Sequence, residues 1–406
     1  MAIVSSSTDL FNGGDPSSSM LSALNSRQQD GKLEAQSQQA LSSGIDKFQQ
    51  GDYEGAAKEF RRSIGISPRS QYSSQASEYL ASSYLKLGSP DKAVKVYKDA
   101  IALDPSRDQT HVKLGNLLFS MNKFAEAEKE YGDAVRINDD ADNNFSLGQA
   151  LLRREKFVEA EKAFNKVKKM NPEGVSGDYG LAQTFRAQGR YDDAVDHFQA
   201  AIKIKKDFYD AYSELGQVYS DIGKTDEADE IYNFLKKKSP DLADTLNRYM
   251  YQAEAPKFAF IASESSFPEE LGIGTPVSSL DAYLETADSS KQFTIIFQFD
   301  KEMDANSVEN RFNWKISRSD KSGPGEFYNF GNPVPSTEAS ISTYPDKISY
   351  DKTELRATVT FTVSQNSTAD ATIDPAHILF KFSGKDKFGN KMDVDADEYS
   401  GFSNIA

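Results

Sequence analysis

The sequence predicts a chain of two parts, a superhelix of stacked helix pairs followed by a β-sandwich. Three observations predict it. One phrase recurs six times, as "GDYEGAAKEF" (51–60), "GSPDKAVKVY" (88–97), "NKFAEAEKEY" (122–131), "EKFVEAEKAF" (155–164), "GRYDDAVDHF" (189–198) and "GKTDEADEIY" (223–232). Its small residue falls at Ala56, Ala93, Ala127, Ala160, Ala194 and Ala228, 33 to 37 residues apart, and four residues later comes an aromatic: Phe60, Tyr97, Tyr131, Phe164, Phe198 and Tyr232. Beyond Pro256 this spacing stops. There "KQFTIIFQFD" (291–300), "RFNWKIS" (311–317), "LRATVTFTV" (355–363) and "HILFKFS" (377–383) alternate apolar and polar side chains, the period of half-buried strands.

Residues 1–36 come first and are rich in Ser, Gln, Asn and Gly. Such a stretch buries too little apolar surface to offset its ordering entropy. Disorder is expected over 1–18, then a helix from Ser19 that breaks near Asp30 and Gly31. Six copies follow, at 37–70, 74–107, 108–140, 141–174, 175–208 and 209–242. Each reads as helix, short turn, helix. The first helix carries its own small residue in register, at Gly44, Ala81, Gly115, Gly148, Ala182 and Gly216, and Gly or a polar residue ends it, as at Gly189 and Asn122. A single pair cannot bury its apolar face, so the pairs must stack. An insertion near Ser70–Ser73 lengthens the first junction, and Ser43 and Lys47 suit a first copy that is partly a cap. Residues 243–255 read as a further helix closing the last apolar face.

This spacing and residue order resemble the tetratricopeptide repeat family. The resemblance implies an α-α superhelical solenoid whose first helices line a concave groove. The part from Pro256 resembles a bacterial Ig-like domain of the surface-layer protein type. It carries that family's "F-x-K-x-M-D" turn in "FDKEMDANSV" (299–308) and its late "D-x-x-G-N" turn in "KDKFGNKMD" (385–393). The expected fold is therefore a tetratricopeptide solenoid followed by an Ig-like β-sandwich over 256–406.

Composition narrows the function. With 62 acidic against 47 basic side chains, the net charge is −15. That disfavours nucleic-acid binding, which needs cations to neutralise phosphates, and docking on an anionic membrane. No apolar run reaches the ~18 residues of a membrane span, so no direct membrane insertion is expected. The chain has no Cys, which excludes disulfides, thiolate metal sites and cysteine nucleophiles. The start, "MAIVSSSTDLFNGG", has no basic stretch followed by an apolar one. Together with the Ig-like resemblance this gives an expectation of cell-surface or extracellular placement by a signal-less export route, the alternative being cytoplasmic.

Chemistry is sparse. His111, His197 and His377 stand in separate elements and read as structural. Phosphate-loop, dinucleotide, zinc-protease and nucleophile-elbow signatures are missing, so neither an enzyme nor a cofactor is expected. In "DVDAD" (393–397), Asp393, Asp395 and Asp397 alternate as at the start of a calcium loop, but Glu398 stands where the loop needs Gly. The expectation there is an acidic, solvated edge strand, with metal only as a weak alternative.

The solenoid offers a better site. On the register implied by the resemblance, one groove-facing column reads Ile45, Ser82, Asn116, Gln149, Gln183, Gln217. Four successive amides supply donors and acceptors for the backbone of an extended peptide. The neighbouring column, Val112, Phe145, Tyr179 and Ser213, supplies apolar contacts, and Arg153 and Arg186 suit a carboxylate. The expected function is a non-enzymatic scaffold that binds a peptide or partner subunit. The alternative is self-assembly, with the groove of one copy taking part of the next.

Overall fold

A computed structural model of the chain describes residues 16–320 and 327–401. The molecule falls into two compact units, Met1–Val218 and Tyr219–Ala406. Helix pairs run through the repeats: α1 (Pro16–Gln49) with α2 (Tyr53–Ile66), α3 (Gln71–Lys86) with α4 (Pro90–Leu103), and α5 (Asp108–Ser120) with α6 (Phe124–Ile137). Then come α7 (Ala141–Arg153) with α8 (Phe157–Met170), and α9 (Ser176–Ala187) with α10 (Tyr191–Ile204). The helices α11 (Tyr209–Asp221), α12 (Thr225–Lys238) and α13 (Pro240–Ala253) follow in the chain.

The repeated residues explain the pairing. All six alanines of the recurring phrase have no exposed surface, so backbones meet there at the closest approach a side chain allows. The aromatic four residues on fills the space beside them. A methyl added to Gly115 would lie 2.6 Å from the Tyr131 ring, and one on Gly148 would lie 2.6 Å from Phe164. The turns between paired helices share one conformation. Gly51, Gly88, Asn122, Glu155, Gly189 and Gly223 all have φ between 57° and 83°. The next N–H reaches back to the carbonyl five residues earlier, as from Lys123 to Leu118 and from Lys156 to Leu151, the bond that closes a helix on a left-handed residue.

Two expectations are corrected. The first helix does not break at Asp30 and Gly31; α1 runs unbroken from Pro16. One Gly in a helix costs only about 1 kcal/mol, which continuous turns on either side absorb. Residues 28–36 of α1 are all exposed. The disorder expected over 1–18 lies mostly outside the described residues. The insertion sits near Ser70–Ser73 as expected, but it extends a helix and not the junction. The junction keeps its length, and α3 itself is longer, 16 residues against 13 in α5.

In the second unit, α12 and α13 precede ten strands: β1 (Phe258–Ile261), β2 (Thr275–Pro276), β3 (Ser290–Phe299), β4 (Trp314–Arg318), β5 (Ser340–Ile341), β6 (Lys347–Asp351), β7 (Arg356–Ser364), β8 (Thr372–Ile373), β9 (Ile378–Phe382) and β10 (Glu398–Tyr399). The larger sheet has the order β1-β3-β7-β5, with β6 also pairing β7. A three-stranded sheet has the order β10-β9-β4, and β2 pairs β8. The β3–β7 register sets Phe293 opposite Phe361 and Ile295 opposite Val359. These inward side chains share one core with Trp314, Ile316, Phe380 and Phe382 of the smaller sheet.

The two turns singled out in the sequence lie side by side, with Met303 bridged to Asp386. Between them Lys301 is 1% exposed. Its ammonium donates to the Tyr251 carbonyl at 2.7 Å and to that of Glu254, both at the C-terminal end of α13, and lies 3.5 Å from Asp386. Asn390 of the second turn donates to the Gln252 carbonyl at 2.5 Å. These are the carbonyls that a helix end leaves without partners, and a cation there meets the negative end of the helix dipole. Helix gives way to strand between Ala253 and Phe258, while the compact unit also takes in α12 and α13.

"DVDAD" is a turn and not the expected strand. Asp393 accepts from the Asp395 backbone N–H at 3.0 Å, while Asp397 lies 3.3 Å from the Lys381 ammonium. Their carboxylates serve different partners and do not converge on a common point.

Candidate binding groove

The amide column is built by the first helices of successive pairs. The constant register places Asn116 on α5, Gln149 on α7, Gln183 on α9 and Gln217 on α11. Asn116 is exposed, and the other three are half-buried. They are not independent. The Gln149 Nε2 donates to Gln183 Oε1 at 3.0 Å across adjacent copies. The Arg186 guanidinium donates to Gln217 Oε1 at 2.8 Å and to Glu214 Oε2 at 2.8 Å. Asn116 accepts from the Tyr131 phenol at 2.6 Å, and burial pushes that phenol's pKa up to about 12. Asn116 is thus partly a structural residue, tied to the aromatic of its own copy.

Half of each central amide is left over by this bond. Among the described residues, Gln149 Oε1 and Gln183 Nε2 have no further hydrogen-bond partner, one an acceptor and the other a donor. The apolar column sits at the seam with the core. Val112 is half-buried. Phe145 is half-buried against Phe164, ring centroids 5.7 Å apart, and Tyr179 lies between Phe198 at 5.9 Å and Phe208 at 4.9 Å. Burial, with Glu214 and Asp210 nearby, raises the Tyr179 phenol above its usual pKa. Ser213, expected in the groove, is buried at 3% exposure. At the other end of the column, Ile45 and Ser82 are half-buried, and Ile45 packs on the first core cluster. Of the two arginines, Arg186 is engaged by Glu214, which the sequence reading left out. Arg153 is exposed and makes no ion pair among the described residues.

All three histidines pair with a carboxylate: His111 with Glu130 at 2.8 Å, His197 with Asp178 at 2.6 Å, and His377 with Asp374 at 2.9 Å. Asp133 joins His111 and Glu130, ligand atoms within 4.8 Å of one another, but Arg136 already takes its carboxylate.

Patterns of the tetratricopeptide repeat family match residues 81–122, 112–175 and 182–223. The chain carries tetratricopeptide repeats, arranged as a helical solenoid and followed by a strand-rich region. The DnaJ homolog subfamily C member 3 of Gallus gallus is 22% identical over 170 residues, which span 42% of this chain and 29% of that protein. Among solved structures, a tetratricopeptide repeat protein from Parabacteroides merdae is similar at 16% identity and a TM-score of 0.49, covering 54% of this chain and 87% of that one. The pilF protein of Pseudomonas aeruginosa is similar at 19% and 0.41, covering 53% and 99%. Among the described residues no helix is long and apolar enough to cross a membrane.

Proposed function

We propose that the protein is a non-enzymatic scaffold whose first-helix groove holds an extended segment of a partner protein. The Gln149–Gln183 pair carries this reading. It joins two copies and still leaves one acceptor and one donor facing the groove, the alternation that an extended peptide backbone matches. Phe145 and Tyr179 flank the pair with partly exposed rings, Asn116 and Gln217 extend the polar row, and Arg153 is a cation open to a carboxylate. The test begins with peptides selected on an array by the parent protein. A Gln149→Ala, Gln183→Ala variant should keep the parent's helical signal and melting curve. It should bind the selected peptides more weakly by about 1–3 kcal/mol, the scale for leaving hydrogen-bonding groups unpaired. Unchanged affinity would remove the groove from consideration.

A second reading rests on the paired turns at Met303 and Asp386. Their juxtaposition supports an Ig-like domain of the surface-layer type, and with it a cell-surface or extracellular protein that assembles through its own copies. Sedimentation across a concentration series, with cell fractionation, tests it. A monomer at every concentration, retained inside the cell, would end this reading.

A further inference from the structure

A second groove lies among α2, α3 and α4, and its lining shares no residue with the amide column. Its volume is about 390 Å³. The floor is apolar, formed by Ile64, Leu80, Tyr84, Val96 and Leu103, and Arg61, Lys92 and Lys95 stand at its rim with Asp99. It continues past Ser77, Ala100 and Leu103 into a smaller depression flanked by Arg69, Arg107 and Asp104. The extra turn of α3 shapes that continuation. There the wall is serine, Ser70, Ser73, Ser74 and Ser77, which leaves the side low and polar where a larger side chain would close it.

The charge of this groove opposes that of the chain. Five cationic side chains face two carboxylates, in a protein of net charge −15. Lys92, Lys95 and Arg69 make no ion pair among the described residues, and Lys92 lies 5.6 Å above the Tyr84 ring. Cations spaced along an apolar floor match a ligand in which carboxylates and apolar side chains alternate. The wall from Lys92 to Leu103 spans ~17 Å at the helical rise, the length of about five extended residues.

We propose that this groove is a docking site for a short acidic segment of another protein, distinct from the amide groove in both place and charge. The probe is a fluorescein-labelled peptide, Glu-Leu-Glu-Phe-Glu-Leu-Glu, read by anisotropy against the full chain. One control peptide has Lys for every Glu, and a second has Ser for Leu and Phe. The acidic, apolar peptide should bind more tightly than both, and more weakly as salt rises. A Lys92→Glu, Lys95→Glu variant should lose about tenfold or more in affinity, because two attractions become repulsions. Its melting curve should match the parent's, since both side chains are exposed. Leu103→Ser should weaken the same peptide without altering its salt dependence. Equal binding of the Lys peptide, or unchanged affinity in the lysine variant, overturns the proposal. So does a loss confined to the Gln149→Ala, Gln183→Ala variant, which would assign the peptide to the amide groove.

Discussion

Glu155 holds the same left-handed conformation as four glycines and an asparagine at equivalent turns, with φ at 57°. A side chain with a Cβ is held there at a cost of about 1–2 kcal/mol, and Glu155 is exposed with no ion pair among the described residues to offset it. Glu155→Gly should therefore raise stability by roughly 0.5–1 kcal/mol, the gain being trimmed by the greater freedom of Gly in the unfolded chain. Denaturant melts of the parent and variant would check this; a loss of stability would mean that Glu155 makes a favourable contact in the folded state. The residue scale is also where the sequence was hardest to read. The amide column follows from the repeat period, so its positions were legible. Its internal bonds, Gln149 to Gln183, Arg186 to Glu214 and Tyr131 to Asn116, depend on which rotamers meet across neighbouring helices, and a period carries no such information.

At the scale of elements, helix pairs and strands were legible because each has a period matched by its burial. β7 alternates without exception over its nine residues, and the six second helices bury the same alanine. What was not legible rests on small energies or on distant partners. The continuity of α1 across Gly31 turns on about 1 kcal/mol. The turn at "DVDAD" is held to a segment far away in sequence, with the Asp393 N–H on the Pro256 carbonyl and the Phe258 N–H on the Ala396 carbonyl. The seating of α13 depends on Lys301, about fifty residues beyond the carbonyls it meets. That last contact yields a prediction. The segment joining α13 to β1 is tied down on several sides, with the Lys257 N–H on Asp300 at 2.9 Å and the Asp393 N–H on the Pro256 carbonyl at 2.9 Å. Limited proteolysis of the parent should spare 254–257. Lys301→Met removes the buried cation, leaving Asp386 without it and the α13 carbonyls without their donor. Loss of one partner of such a buried pair costs about 3–5 kcal/mol. The variant should unfold earlier and be cut at 254–257, as mass spectrometry of the fragments would reveal. A variant as stable and as resistant as the parent would show that the ammonium is dispensable.

For the whole molecule, six similar copies pose a problem that a unique sequence does not have: any first helix fits any second helix. Most contacts cannot tell copies apart, since each offers the same alanine and an aromatic. The histidine pairs can. His111 on α5 meets Glu130 on α6, and Asp178 on α9 meets His197 on α10. The two pairs occupy equivalent positions with the partners exchanged. If the chain slipped by two copies, α5 would meet α10 and set His111 against His197, while α9 would meet α6 and set Asp178, 3% exposed, against Glu130. Like would face like in a desolvated place, and the misassembled form would be penalised as the native one is not. The exchange works as a lock and a reversed lock, marking which copy is which. A His111→Asp, Glu130→His variant gives both copies the Asp–His order. Its native stability should stay near the parent's, but it no longer distinguishes the two copies. Refolding from denaturant should then show an added slow phase or a lower yield, and refolding identical to the parent's would show that registration during folding is secured elsewhere.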